Sequence, residues 1–530
     1  MTYTAGDGYE FEQYGGMEAM DYYLASAYFL QNGYVEYCYN KVGASLSSTY
    51  INEADDSYAT LMYNDGWGEL YIGYGKGASN LPKDTSEYQV KNPITTVTQV
   101  YSPNHNGMSY IFKLADGSFI IVDGGYGDPK DRTVNKMLAN DSVTLFNTLA
   151  KLHGKKSGMH VRAWILTHSH NDHYPAFREF AKNYADKITL DYVFYSPLER
   201  SIGALGDPYF NDTLPDDVAK FDGATLCGVH TGMIFDIVDV QLEILYAAEM
   251  VYKDDTSVDF NESSTVFRVK NKDGGVMILG DIVEDSRKVD SCEWLIAAYG
   301  EALKTNIMQV SHHGVNQASV ELYDLIAPTT LFWPCNDASD GAANLINDVR
   351  GGTTKQHLLC ADYINEIILH SYGTATRPIS HVAEKSATID LLASDKAEIT
   401  HQSDAASVTI KDGVLKYKVG GKDPQIIFTL TGVSTEEFNA LRITVKATGF
   451  EKGQVRFNCG DDIIGEYSNN RKKSCGPQGI NESGYHTMLV FFGNTEDFGG
   501  DLTSIRLDFG DTVGEVVEIT SAELIYIDID

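Results

Sequence analysis

Three histidines and an aspartate fall within six residues: His168, His170, Asp172 and His173, in the segment THSHNDH from Thr167. Imidazole nitrogen and carboxylate oxygen together suit zinc, and manganese or iron also fit such a set. The apolar run VRAWIL leads straight into the segment and reads as a buried strand. If that strand ends just before His168, the loop turns back on itself. His168 and His170 then point to one metal, and Asp172 and His173 to a second. The bland alternative is a solvated histidine-rich turn, which a buried strand would not feed.

Two more strand ends offer matching groups. GVMILGD closes an apolar run on Asp281, whose carboxylate could bridge two cations. NIMQVSHHG ends another on His312 and His313. Upstream, GMSYIFKLADGSFIIVDGG reads as two strands about the turn Asp116-Gly117, ending at Asp123. A helical stretch around Val134 to Leu152 follows, and PAFREFAKNYA forms another helix after the histidine cluster. VQLEILY and STVFRVKN add strands, and EIILHSY closes the unit. This strand–helix alternation says α/β.

The flanks read differently. Residues 1–95 are rich in Tyr and Gly, with a helix-like segment near Met17 to Asn32 and short strands, a small α+β extension. Gly73, Gly75 and Ala78 fit a GxGxxA pattern there, but SNLPKD follows where a dinucleotide site needs a helix. After about Glu384 helices disappear and strand runs such as LRITVKA, QVRFNCG and SIRLDFG recur between turns, an all-β sandwich over 385–530. The α/β unit is accordingly 96–384.

Composition narrows the functions. With 74 acidic and 41 basic residues the net charge is −33, which disfavours general nucleic-acid binding. Bound divalent cations can reverse that sign locally, so an anionic small-molecule or cell-surface substrate stays open. No run reaches the roughly 20 apolar residues of a membrane span, and no signal peptide is recognisable. Seven scattered cysteines include no CxxC; Cys459 and Cys475 could pair or stay free.

The order HxHxDH, a strand ending Gly-Asp, and a strand ending in His resembles the metallo-β-lactamase superfamily over roughly residues 96–380. That resemblance implies an αββα sandwich and a hydrolase that works through a hydroxide on two divalent metal ions. His168 and His170 would hold metal one. Asp172, His173 and one histidine of SHHG would hold metal two, with Asp281 bridging and Asp123 orienting the ligands. The family spacing favours His313 as the ligand. His312 would then face substrate or transfer a proton, which makes Asp172, Asp281 and His312 the catalytic set. Many members carry a further histidine before the bridging Asp. The candidate here is His230, in CGVHTGMIF, where a loop or surface histidine is the plainer reading. Metal one would then be open and weakly held. His105 and Asn106, in the loop before GMSYIF, would approach the metals in this fold. Tyr174, after the cluster, and Asn316, after SHHG, could touch substrate. Tyr126 is similar. His153, His357, His381, His401 and His486 do not cluster and read as surface residues.

SHHG, the strand FNESSTVFRV and the missing histidine resemble a branch containing bacterial phosphorylcholine esterases and the nuclease-like domain of DNA-uptake channels. This implies a phosphoester substrate. The alternatives are a lactone, ester or amide hydrolase, a di-iron oxidoreductase, and a glycan-binding protein with a vestigial metal site. The end unit resembles jelly-roll carbohydrate-binding modules in strand rhythm, with Tyr467, Tyr485, Phe492 and Phe498 available for a glycan. Together these imply an extracellular or cell-surface protein.

Overall fold

Strands buried on both faces appear in a sequence as unbroken apolar runs, and such runs build the middle of this protein. The computed structural model describes residues 2–4, 7–85, 94–102, 107–127, 141–197, 209–247, 249, 260–284, 291–314, 318–335, 356–360, 365–369, 387–448, 453–463, 465–468, 471–474, 485–493, 495 and 498–526.

Two seven-stranded sheets face each other. The first runs, in spatial order, Thr225–Gly228, Ile188–Tyr195, Met159–Ile165, Phe119–Asp123, Ser109–Lys113, Thr96–Gln99 and Asn365–Ile368. The second runs Ile234–Ile237, Val240–Tyr246, Val266–Lys270, Gly275–Ile278, Ile307–Gln309, Thr330–Trp333 and Gln356–Leu359. Side chains alternate across a strand. Phe119 and Ile121 therefore face the helices Asp141–His153 and Pro175–Tyr184, while Ile120 and Val122 face the second sheet. Helices Ser291–Tyr299 and Val320–Ile326 pack against that second sheet, which completes an αββα sandwich. The sequence reading of this fold holds.

The N-terminal residues form an antiparallel six-stranded sheet with the helix Ala19–Gln31 against it. Gly73 and Gly75 lie within the strand Glu69–Lys76. A Cβ on Gly73 would meet the Tyr9 hydroxyl at 1.7 Å, and one on Gly75 would meet the Tyr58 ring at 2.1 Å. These glycines make room for two tyrosines crossing the strand. Tyr9, Phe11, Tyr58, Met62 and Tyr71 join the core of the αββα sandwich. Trp294, fully buried, donates its indole N–H to the Tyr71 hydroxyl at 3.1 Å.

Residues 387–526 contribute two antiparallel sheets of a β-sandwich around Tyr417, Phe428, Ile443, Phe457 and Ile505. Tyr101 meets Phe491 edge-on at 5.6 Å across to this unit. The boundary near 384 lies outside the described residues.

Trp294 fills the seam between the N-terminal sheet and the core of the αββα sandwich. Trp294→Ala should cost about 3–5 kcal/mol of unfolding free energy. Denaturant titration reads this directly, and a cost under about 1 kcal/mol would mean that the seam is not a shared core.

Candidate metal centre

The chemistry-bearing residues converge because their strands end together. Phe119–Asp123 ends on Asp123, Met159–Ile165 ends just before the histidine loop, Gly275–Ile278 runs into Gly280 and Asp281, and Ile307–Gln309 runs into Ser311–Gly314. The strands ending at Asp123 and Ile165 are parallel neighbours in the first sheet. Those ending at Ile278 and Gln309 are parallel neighbours in the second.

Asp123 organises the loop. Its φ is +49°, in the left-handed region, and its side chain is fully buried. One carboxylate oxygen accepts the Thr167 N–H at 2.8 Å. The other accepts the Thr167 hydroxyl at 2.7 Å and the His173 Nδ1–H at 2.8 Å. Gly124 and Gly125 donate their N–H groups to the His173 carbonyl at 2.8 and 3.0 Å. With Nδ1 committed to Asp123, His173 turns Nε2 into the site. His313 is set the same way, by its Nδ1–H donating to the Pro334 carbonyl at 2.7 Å.

Two groups of potential ligand atoms result. His168, His170 and Asp281 form one, and Asp172, His173 and His313 the other, with the atoms of each group within 4.8 Å of one another. Asp281 stands between them. Its Oδ2 lies 3.7 Å from His168 Nε2, 3.1 Å from His173 Nε2 and 3.3 Å from His313 Nε2. Buried polar atoms are almost always hydrogen-bonded. His168 Nε2 and Asp281 Oδ1 are buried and carry no hydrogen bond. A lone imidazole nitrogen and a lone carboxylate oxygen in one group are the donors a divalent cation takes, so these residues fit a metal pair.

The electrostatics of the metal-free protein follow from burial and mutual charge. Burial, with the neighbouring His173, holds the His168 imidazole well below its usual range. For His173 burial acts the same way, but Asp281 and Asp123 outweigh it and push the ring well up. His313 is likewise pushed up to about 10, because Asp281 and Asp172 outweigh burial. The Asp172 and Asp281 carboxyls are held below the usual carboxylate range, since the histidines facing them outweigh burial.

The remaining candidates fall unequally. His312 and His313 both have left-handed backbone, at φ +47° and +52°, which throws the two rings apart. His313 enters the second group, while His312 is half-buried with Nε2 3.4 Å from Asn261 Nδ2. Tyr174 stacks on Tyr209 at 3.6 Å, and the Arg178 guanidinium lies 4.9 Å above the Tyr209 ring. Tyr126 is buried and donates its N–H to Asp141 at 2.8 Å. His105, Asn106, Asn316, His381 and Cys475 lie outside the described residues.

His230 lies in the loop between Thr225–Gly228 and Ile234–Ile237, as read, but not at the surface, because the N-terminal sheet covers it, and it belongs to neither ligand group. The ring is buried, stacked on Tyr9 at 3.5 Å, with Nε2 3.0 Å from the Tyr58 hydroxyl.

Sequence reasoning passed over several supporting residues. Ser264 and Thr167 flank His168 Nδ1 at 3.2 and 3.1 Å. The Phe260 ring meets His170 edge-on at 5.5 Å. The Gln309 side chain accepts from the Leu279 and Gly280 N–H groups at 2.8 and 2.9 Å, fixing the turn that presents Asp281. A glutamine inside an apolar strand, and the polar run NESST before another, were the available signals.

Residues 103–328 match the family model described as Metallo-beta-lactamase superfamily. This unit has the metallo-β-lactamase fold. Solved structures similar to parts of the chain include YhfI from Bacillus subtilis, a metallo-beta-lactamase fold protein. It is 11% identical over 50% of this chain and 95% of its own, with a TM-score of 0.31. CmlA, a diiron beta-hydroxylase from Streptomyces venezuelae, is 11% identical over 53% of this chain and 55% of its own, with a TM-score of 0.32. A low-affinity xylan binding module from Roseburia intestinalis is 13% identical over 27% of this chain and 95% of its own, with a TM-score of 0.19. No curated protein matches the chain.

The protonation pattern makes metal uptake by the metallo-β-lactamase-fold unit pH-linked. His173 and His313 are raised, so both carry protons near neutrality without metal and must lose them to become ligands. Filling the site at pH 7 should release about two protons, and affinity should rise with pH until His313 deprotonates near 10. Calorimetric titration in buffers of different ionisation enthalpy counts the protons. A binding enthalpy independent of buffer would refute the pattern.

Proposed function

We propose that the chain is a metal-dependent hydrolase acting on a phosphoester. The observation that carries the reading is the pair of adjacent ligand groups sharing Asp281, with His168 Nε2 and Asp281 Oδ1 buried and without hydrogen bonds. His168, His170 and Asp281 would hold one divalent cation, and Asp172, His173 and His313 the other, zinc suiting the set and manganese or iron also fitting. Such a pair, when bound, supplies Lewis acidity and lowers the pKa of water toward neutrality.

The protein's own groups do the rest. Asp123 and Thr167 keep His173 in one tautomer. Asp281 joins the two positions. His312 is turned away from the second group and partly open, where its ring can donate to an oxygen of the substrate or protonate the leaving group. Two divalent cations would offset the −33 charge locally and admit an anionic phosphoryl group. The similarity of SHHG and FNESST to the phosphorylcholine-esterase branch supports this substrate class.

The end unit supports a glycan partner, and so an extracellular or cell-surface setting. Of the four aromatics expected to meet a glycan, Phe492 is fully buried and Phe498 packs on the core, which leaves Tyr467 and Tyr485. Tyr485 donates its hydroxyl to Glu518 at 2.7 Å. Tyr467 stands beside Arg506, which pairs with Asp508 at 2.6 Å and lies opposite Arg456 on the neighbouring strand. An aromatic ring beside alternating guanidinium and carboxylate groups suits sugar hydroxyls, which both donate and accept.

Asp281→Asn removes a charge shared by both groups, and His170→Ala removes one ligand of the first. Both should lower kcat/KM on a p-nitrophenyl phosphodiester by at least ~100-fold. Metal analysis should show both positions weakened in D281N and only the first emptied in H170A. Normal turnover by a demetallated variant would sink the mechanism. A fully metallated wild type that opens lactones and cleaves no phosphoester would remove the substrate class.

For the end unit, wild type should be retarded in affinity electrophoresis through soluble xylan or mixed-linkage β-glucan, with the retardation lost in Tyr467→Ala and Arg506→Ala. Unretarded wild type rules out the glycan reading for these polymers.

A further inference from the structure

We infer that Ser264 is the positioning residue of the first metal position, holding His168 and Asp281 in register with each other. This rests on the metal-centre reading above. The hydroxyl of Ser264 does two things at once. It accepts the Asp281 N–H at 2.9 Å, and it lies 3.2 Å from His168 Nδ1. Thr167 Oγ1 stands 3.1 Å from the same nitrogen, but its proton is committed to Asp123. Thr167 Oγ1 can therefore only accept from His168 Nδ1–H, and Ser264 Oγ lies within reach of the same proton; that tautomer leaves the Nε2 lone pair facing Asp281.

The backbone around Ser264 is shaped for this contact. Gly280, just before Asp281, has φ +59°, and a Cβ there would sit 2.8 Å from both Cβ and Oγ of Ser264. Only glycine allows the serine to reach under the turn. Ser264 is itself anchored, its N–H donating to the Asn261 carbonyl at 3.1 Å and the next N–H, of Thr265, to the Thr167 carbonyl at 2.9 Å. The same segment meets His170 through Phe260. All three residues of the first group thus lean on residues 260–264.

The second group is held by different means. His173 leans on Asp123 and His313 on the Pro334 carbonyl, and neither contact involves Ser264. Thr167 and Asp281 are common to the two positions, whereas Ser264 lies against His168 of the first. An outer contact of this kind is worth about 10–100-fold in metal affinity. It matters most at a position offering three protein ligands among the described residues.

The test is stepwise Co²⁺ binding to the full chain, by chelator competition and visible absorption, with the thermal midpoint of the metal-free protein as a fold control. Wild type should bind two ions. Ser264→Ala should weaken one step by about 10–100-fold and the other, which shares Asp281 alone, by clearly less, at a midpoint showing a folded protein. Ser264→Thr, which keeps the hydroxyl, should recover part of the lost affinity. Equal weakening of both steps, or of neither, overturns the inference, as does a Thr variant no better than Ala while folded. If S264A fails to fold, Ser264→Cys gives the second reading: a thiol is a weak donor and a weak acceptor, so one step should weaken more than the other, and equal weakening of both steps overturns the inference. Wild type that binds no Co²⁺ defeats the metal-centre reading itself, a result distinct from all of these.

Discussion

The fully buried carboxylate of Asp123 is the interaction on which the catalytic unit depends. Taking an ionised carboxylate out of water costs several kcal/mol unless charge-assisted hydrogen bonds replace the lost solvent. Here the replacements are the Thr167 N–H, the Thr167 hydroxyl and the His173 ring. All three belong to the histidine loop, so Asp123 can be satisfied only if the loop folds back over the end of its own sheet. Removing the carboxylate would leave the ring of His173 and the hydroxyl of Thr167 buried without that acceptor. The constraint passes from a single side chain to the loop, and from the loop to the ligand groups.

The two sheets then bring opposite halves of the site together. The first contributes the histidine loop, and the second contributes Asp281 and His313. Asp281 Oδ2 lies close to histidines of both groups, so like charges do not accumulate on either side. The alternation of raised histidines and lowered carboxyls in the metal-free protein has the same origin. A cation entering this arrangement would have to displace the protons of His173 and His313, which would tie metal affinity to pH.

The N-terminal sheet shows how far the site's surroundings extend. It closes over His230, which stacks on Tyr9 and bonds to Tyr58. It also seats Trp294 against Tyr71. A histidine that would otherwise be solvated thereby becomes part of a packed seam. The glycines that suggested a nucleotide fingerprint serve this packing, since Tyr9 and Tyr58 cross the strand where Gly73 and Gly75 lack side chains.

What could be read from the chain alone was whatever is local. The HxHxDH spacing, the apolar runs before it, and the Gly-Asp and Ser-His-His strand ends are contiguous, so their candidate ligand chemistry was legible in the sequence, and the αββα class followed from the family resemblance they carry. The all-β character of the C-terminal residues was legible too, because period-two patterning needs no long-range partner. What only the tertiary structure decided is how distant segments meet. Which of His312 and His313 turns inward depends on two consecutive left-handed residues, which no pattern of residue types announces. The burial of His230 depends on a sheet more than a hundred residues earlier in the chain. The role of Ser264 depends on the turn at Gly280, on a neighbouring strand. Serine is an unremarkable letter in a sequence, and it acquires meaning here only because Asp281 and His168 arrive within hydrogen-bond reach of the same oxygen.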